Sequence, residues 1–131
     1  MEGTSAERKQ APGTTTPETP TLPLAAMLQD PEAGLRRLLD SARRRDKAEK
    51  RQILVAGLRQ LLDEGHDSAR AILAGPRSGL ACAHRLSAVM DAVVIALHRA
   101  AASYFYPADN PSQSERIAVA AVGGYGRGTL A

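Results

Sequence analysis

The sequence predicts a mainly helical chain that leads into a single strand, and two observations support this. First, aromatic residues make up only 3% of the 131 residues and tryptophan is absent. Leucine, alanine and valine must therefore form the core, which favours helix packing over an aromatic-rich β-sandwich. Second, residues 117–122 form an apolar run with the length of a buried strand, and this run passes into a glycine-rich turn. Periodicity alone leaves a helix as the alternative for the run.

The bulk composition indicates a soluble protein. A length of 131 residues allows one ordinary domain. The single cysteine, Cys82, cannot form an internal disulfide and does not indicate an oxidising compartment. The start of the chain lacks the apolar stretch of a signal peptide, and we expect no window to approach the roughly 18 apolar residues of a membrane span. We therefore expect a cytoplasmic protein without a membrane partner.

The chain divides into three predicted segments. Residues 1–29 hold four prolines and a threonine run with little apolar content, and they are predicted to form a disordered tail. Asp30 and Pro31 are the residue types that start a helix, so a helical region is predicted over residues 30–107. Residues 108–131 are predicted to form a loop, the strand and the glycine turn.

The helical region contains three amphipathic patterns. The first two have their apolar residues at Leu35, Leu38 and Leu39, and at Leu54, Val55, Leu58, Leu61 and Leu62. Asp46 with Glu49 three residues later resembles a capping box, which predicts a break near Arg45; one continuous helix is the alternative. Gly65 is predicted to end the second helix.

The third pattern is the strongest and follows a glycine–proline break at residues 75–79. It predicts a helix of about 25 residues. This helix should end by Tyr106, because Pro107 disfavours helical geometry in the residue before it. Its predicted core stripe is Leu80, Ala83, Ser87, Met90, Val94, Leu97, Ala101 and Tyr104.

Three polar residues of this helix, His84, Asp91 and His98, recur every seven residues near one face. That spacing raises the question of a metal site. Seven residues of helix rise about 10.5 Å, whereas a zinc–nitrogen bond is about 2.0–2.1 Å long. The three side chains cannot share one ion on a straight helix, so we predict a polar helix edge and no metal ligand.

The net charge of +3 is unevenly spread along the chain. Residues 36–59, the basic segment, hold nine cationic and three acidic side chains, the cations being Arg36, Arg37, Arg43, Arg44, Arg45, Lys47, Lys50, Arg51 and Arg59. A solvated helix face is the favoured interpretation, and attraction of an acidic partner is the alternative. The segment has no aromatic residue on which a base could stack, so a nucleic-acid partner is not expected.

The glycine turn is the strongest functional feature of the sequence. Gly123, Gly124, Gly126 and Gly128 permit positive φ and a close approach of the backbone to a ligand, as in loops that hold phosphate. The spacing matches neither the P-loop nor the dinucleotide-binding motif. Composition alone favours a structural turn, with a phosphate site as the alternative.

The string Val-Gly-Gly-Tyr-Gly-Arg-Gly at residues 122–128 resembles the signature that opens the nucleotidyltransferase domain of bacterial PII uridylyltransferases. The close part of the resemblance covers about a dozen residues, and the preceding long helix extends it weakly back to Gly79. The resemblance implies that the apolar run is the first strand of an α/β polymerase-β-like nucleotidyltransferase domain, preceded by a helical N-terminal region.

The resemblance also implies an activity. Such enzymes transfer UMP from UTP to a tyrosine of the PII signalling protein, and they also remove it. By position, Gly123 and Gly124 would contact the triphosphate, while Gly126 and Arg127 would shape the loop and assist the phosphates; a structural salt bridge is the alternative role for Arg127. Mg²⁺ would be held by an Asp-x-Asp pair on the next strand. No such pair follows the turn here, so we expect no catalytic residue, no metal ligand and no activity in this chain alone.

Two other functions remain open at this point. One is another polymerase-β-like transferase, of the adenylyltransferase type. The other is a non-enzymatic helical module that uses the basic segment to bind an acidic partner.

Overall fold

The computed structural model describes residues 21–110, 112 and 116–129. In this part of the chain there are five α-helices: α1 (Leu24–Gln29), α2 (Pro31–Ser41), α3 (Lys47–Leu73), α4 (Gly79–Ala100) and the short α5 (Gly123–Gly126). A π-helical turn, Ala101–Phe105, continues α4. Helices make up 71% of the described residues. The prediction of a mainly helical chain is confirmed.

Order begins before Asp30. Residues 21–29 include α1, and Leu22 and Met27 are fully buried in the core. The predicted tail therefore overlaps the folded part, while residues 1–20 lie outside the described residues. The tail prediction was too long because prolines and threonines dominate the composition, although Leu22, Leu24, Met27 and Leu28 supply an apolar cluster at its end.

Both predicted helix starts are confirmed. The Asp30 side chain accepts a hydrogen bond from the N–H of Ala33 at 3.0 Å, with Pro31 at the first position of α2. The Asp46 side chain accepts one from the N–H of Glu49 at 2.8 Å. Each carboxylate thus caps N–H groups that have no partner within the first helical turn. The break near residue 45 is real, and α2 and α3 are separate helices.

The predicted helix end at Gly65 was wrong, because α3 continues to Leu73. Gly65 is buried where α3 meets α4, and a Cβ atom added to it would lie 2.6 Å from both methyl carbons of Val89. The glycine serves a close approach of two helices. A sequence pattern cannot distinguish this role from helix termination, since both favour glycine.

The helix α4 lies at the centre of the bundle and turns a different face inward from the one predicted. Its buried apolar residues are Val89, Ala92, Val93, Ala96 and Ala100. In the predicted stripe, by contrast, Ser87 is buried, but Leu80 is 62% exposed and Leu97 is 47% exposed. The buried residues lie about one position before the predicted ones, which corresponds to a rotation of about 100° around the helix axis. Small alanine side chains let α4 approach its neighbours closely, whereas the prediction favoured the larger side chains.

The continuous helix Gly79–Phe105 is long and apolar enough to cross a membrane by length and composition, with a mean hydropathy of 1.7 over an 18-residue window. The expectation that no window approaches this level was wrong. One third of the window, 33%, is buried in the bundle. The high hydropathy arises because the helix carries an alanine-rich face that packs inward and a second apolar face that stays open. The absence of a membrane partner remains a prediction.

The predicted strand is not formed within the described residues. Residues 116–122 have no regular secondary structure, and Ile117 and Val122 are 74% and 78% exposed. Val122 has extended backbone angles, φ −128° and ψ 164°. A strand also needs a neighbour to pair its N–H and C=O groups. The described part of the chain supplies no such neighbour.

Candidate functional site

The glycine turn has a backbone that only glycine accommodates well. It contains the single helical turn α5, followed by a reversal at residues 127–129. Gly123 and Gly128 have φ angles of +64° and +71°, which side chains strongly disfavour. A Cβ atom on Gly126 would lie 2.7 Å from the carbonyl oxygen of Ala121. Three of the four glycines are thus required by the shape of the turn.

Hydrogen bonds inside the turn make it a closed unit. The N–H of Gly128 donates to the carbonyl oxygen of Tyr125 at 2.8 Å. The N–H of Thr129 donates to the carbonyl oxygen of Gly124 at 2.9 Å, and the Thr129 hydroxyl donates to the same oxygen at 3.1 Å. We therefore expect the turn to move as one body and not as a flexible loop.

One end of the turn remains open to a ligand. The N–H groups of Gly123, Gly124 and Tyr125 begin α5, where helical geometry supplies no acceptor, and they find none among the described residues. A Cβ atom on Gly124 would lie 3.9 Å from Nη2 of Arg127, so the guanidinium lies close to Gly124. Arg127 forms no ion pair with another described residue. Open N–H groups beside a cation can bind an anion.

The turn lies against the row of polar residues on α4. The Tyr125 hydroxyl donates a hydrogen bond of 2.6 Å to Oδ1 of Asp91. A Cβ atom on Gly128 would lie 3.6 Å from Nδ1 of His84, so Gly128 lies near this imidazole. Partial burial, followed by the hydrogen bond to Asp91 and its negative charge, raises the pKa of Tyr125 to about 12.

A cleft of about 510 Å³ separates α4 from the segment before the turn. Residues 119–121 and Tyr125 form one wall, and Asp91, Ile95 and His98 form the other. At its margin, Arg99 donates hydrogen bonds of 2.9 and 2.7 Å to the two carboxylate oxygens of Glu32, and these bonds raise the pKa of Arg99.

The three polar residues His84, Asp91 and His98 of α4, the polar row, thus face the chain segment that leads into and out of the turn. His98 lies near the start of this segment, Asp91 near its middle and His84 near its end. The sequence predicted a polar helix edge at these residues but not its contact with the turn. The signal that could have revealed the contact is the tyrosine within the turn, whose hydroxyl suits an acceptor such as Asp91.

The basic segment extends from α2 into α3, and its cationic side chains are exposed or half-buried. An aromatic residue reaches it from elsewhere in the sequence: Tyr106 accepts a hydrogen bond of 3.1 Å from Arg51. Nζ of Lys47 lies 4.5 Å from the centre of the Tyr106 ring. One face of this ring is therefore covered by a cation. Arg45 pairs with Glu49 at 3.7 Å, an exposed contact worth little energy.

Comparison with known proteins supports the resemblance found at the glycine turn. The chain is 42% identical over 81 residues to the bifunctional uridylyltransferase/uridylyl-removing enzyme of Bradyrhizobium sp. (strain ORS 278). The similar region covers 62% of this chain and 9% of the length of that relative. No protein-family model matches the chain. No solved structure matches it. The predicted resemblance to a uridylyltransferase is confirmed, for a small part of such an enzyme.

Proposed function

We propose that this chain is the N-terminal part of a protein-PII uridylyltransferase, which transfers UMP from UTP to a tyrosine of the PII nitrogen-regulatory protein and also removes it. The similarity to the Bradyrhizobium enzyme supports the proposal. Within the turn, one observation supports it most: the N–H groups of Gly123 and Gly124 have no acceptor among the described residues, and the guanidinium of Arg127 lies close to Gly124. Both proposed partners, UTP and PII, are cytoplasmic, so we propose that the protein acts there.

The proposed role of the turn is to hold the triphosphate of UTP. A triphosphate carries several negative charges, and N–H dipoles that point to one place stabilise such charges. Arg127 adds a full positive charge with several N–H donors. Gly126 contributes indirectly, because only glycine lets the turn pass so close to the carbonyl group of Ala121.

The proposed role stops at nucleotide binding. In nucleotidyl transfer, Mg²⁺ neutralises charge on the phosphates. Among the described residues, no group of three or more His, Cys, Asp or Glu side chains could hold a metal ion. Asp91, a carboxylate that contacts the turn, accepts the hydroxyl of Tyr125. We propose that the isolated chain binds UTP weakly and catalyses no transfer.

Equilibrium dialysis with radiolabelled UTP tests the binding. We expect weak binding, reduced about fivefold in Arg127→Gln, because a charge-assisted contact is lost. Arg59→Gln is the matched control, since Arg59 is also exposed but lies on α3. No UTP binding, or equal loss in both variants, would contradict a nucleotide site at the turn. Preference for ATP over UTP would instead support the adenylyltransferase alternative.

A transfer assay tests the proposed inactivity. The chain is incubated with labelled UTP, the PII protein and Mg²⁺, and label on PII is measured. We expect no label above a control without the chain. Label above that control would show that the chain is active by itself.

The helical interaction module has one observation in its favour, namely the exposure of most cations in the basic segment. It predicts salt-sensitive association with an acidic protein that survives removal of residues 117–131. Loss of association on that deletion would exclude the basic segment as the sole binding surface.

A further inference from the structure

We infer that Asp91 is a positioning residue, which holds the glycine turn on α4 through the hydroxyl of Tyr125 and so sets the direction of the nucleotide-binding end of the turn. That this end of the turn binds a nucleotide rests on the proposed function. The docking of the turn on α4 rests on contacts alone, and the two parts can be tested separately.

The helix α4 provides a firm base for such a contact. Ala92 and Ala96, one and five residues after Asp91, are fully buried against the other helices. Val89, two residues before Asp91, packs over Gly65 of α3. The core therefore holds the backbone on both sides of Asp91 in place. The Asp91 side chain extends from this fixed backbone, although the side chain itself is exposed.

The turn meets α4 at two separate points. Tyr125 contacts Asp91, and Gly128 lies against His84, seven residues earlier on the helix. Seven residues correspond to about 10.5 Å along the helix axis. The hydrogen bond at Asp91, together with the nearness of Gly128 to His84 at a second position, limits the orientations of the turn on the helix. The seven-residue spacing of His84 and Asp91 thus places both residues where the turn lies along α4.

The contact at Asp91 is the stronger of the two. A hydroxyl donating to a carboxylate at 2.6 Å is a charge-assisted hydrogen bond, which is shorter and stronger than a neutral one. At His84 the turn comes near the helix only through Gly128, which has no side chain. Removing the hydrogen bond should therefore release the turn from α4, and the internal hydrogen bonds of the released turn should open more often.

Two variants of the full 131-residue chain remove the hydrogen bond with little change in shape: Asp91→Asn and Tyr125→Phe. Amide hydrogen exchange by NMR is measured at Gly128 and Thr129, within the turn, and at Ala92 and Ala96, within the core. The matched controls are Asp63→Asn and Tyr104→Phe, which alter exposed residues of α3 and of the π-helical turn. Asp91→Glu tests rescue by the other carboxylate.

We expect exchange in the turn to be about fivefold faster in both variants, the effect of losing one hydrogen bond. Exchange in the core and the behaviour of the two control variants should match the wild type, and Asp91→Glu should recover part of the protection. Unchanged exchange in the turn in both variants would overturn the docking. Equally accelerated exchange at Ala92 and Ala96 would overturn it too, because the effect would then be general destabilisation.

Binding of UTP, measured by dialysis on the same variants, tests the positioning. We expect Asp91→Asn to weaken UTP binding, although Asp91 itself would not touch the nucleotide. Faster exchange in the turn with unchanged UTP affinity would overturn the positioning role. If the wild-type chain binds no UTP, the proposed function of this turn fails and the positioning of a nucleotide fails with it, while the exchange measurements still decide whether Asp91 docks the turn.

Discussion

Replacing Gly65 by alanine tests the packing of α3 on α4, on which the position of the site depends. The added Cβ atom would lie 2.6 Å from both Val89 methyl carbons, too close for any real contact. Overpacking of this kind costs about 1–3 kcal/mol. Within a helix, alanine is favoured over glycine by about 1 kcal/mol of helix propensity, which offsets part of this cost. We expect Gly65→Ala to lower the free energy of unfolding by about 1 kcal/mol.

A second substitution makes the prediction sharper. Val89→Ala alone removes two buried methyl groups and should cost about 2 kcal/mol. In the double variant, the new methyl group at position 65 occupies space vacated by Val89, so the clash disappears while the helical gain remains. The double variant should lower the free energy of unfolding by about 1 kcal/mol. This loss is about 2 kcal/mol smaller than the sum of the losses in the two single variants.

Urea denaturation followed by circular dichroism measures these differences. Gly57→Ala is the control on the same helix, since its Cβ atom would lie 3.3 Å from Leu22, whose side chain can shift by a few tenths of an ångström. We expect Gly57→Ala to stay within about 1 kcal/mol of the wild type. A Gly65→Ala variant as stable as the wild type, combined with additive costs in the double variant, would refute the close approach of Gly65 and Val89.

Three further predictions concern the caps and the turn. Gly126→Ala would bring a Cβ atom within 2.7 Å of a backbone oxygen, so we expect it to distort the turn and abolish UTP binding in dialysis while the circular dichroism of the helices is kept. Asp46→Ala removes the cap of α3 and should cost about 1 kcal/mol in urea denaturation. Because the pKa of Tyr125 is raised from 10.0 to about 12, the contribution of its protonated hydroxyl to docking is present below pH 10 and lost as pH rises to 12. Amide shifts of the turn should follow that loss in the wild type and not in Tyr125→Phe.

The features that the sequence predicted correctly are local ones. The capping carboxylates of Asp30 and Asp46 act within three residues of their own position, so residue type and spacing are sufficient evidence. The end of the long helix near Tyr106 follows from Pro107 in the same way.

The features that the sequence did not predict depend on contacts between distant residues. The role of Gly65 depends on Val89 of another helix, and the inward face of α4 depends on how closely its alanines approach their neighbours. The contact of Tyr125 with Asp91 joins residues that are 34 positions apart. The motif of the glycine turn indicated the kind of site, but the side chain that holds the turn on the helix became visible only in three dimensions.

An NMR titration of the 131-residue chain with UTP tests most directly whether the open end of the glycine turn binds the triphosphate. If the turn binds it, we expect the largest shifts at the amides of Gly123 and Gly124 and at the Arg127 side chain. Shifts confined to Lys47, Arg51 and the rest of the basic segment would contradict it, because the nucleotide would then bind as a general anion and not at the turn.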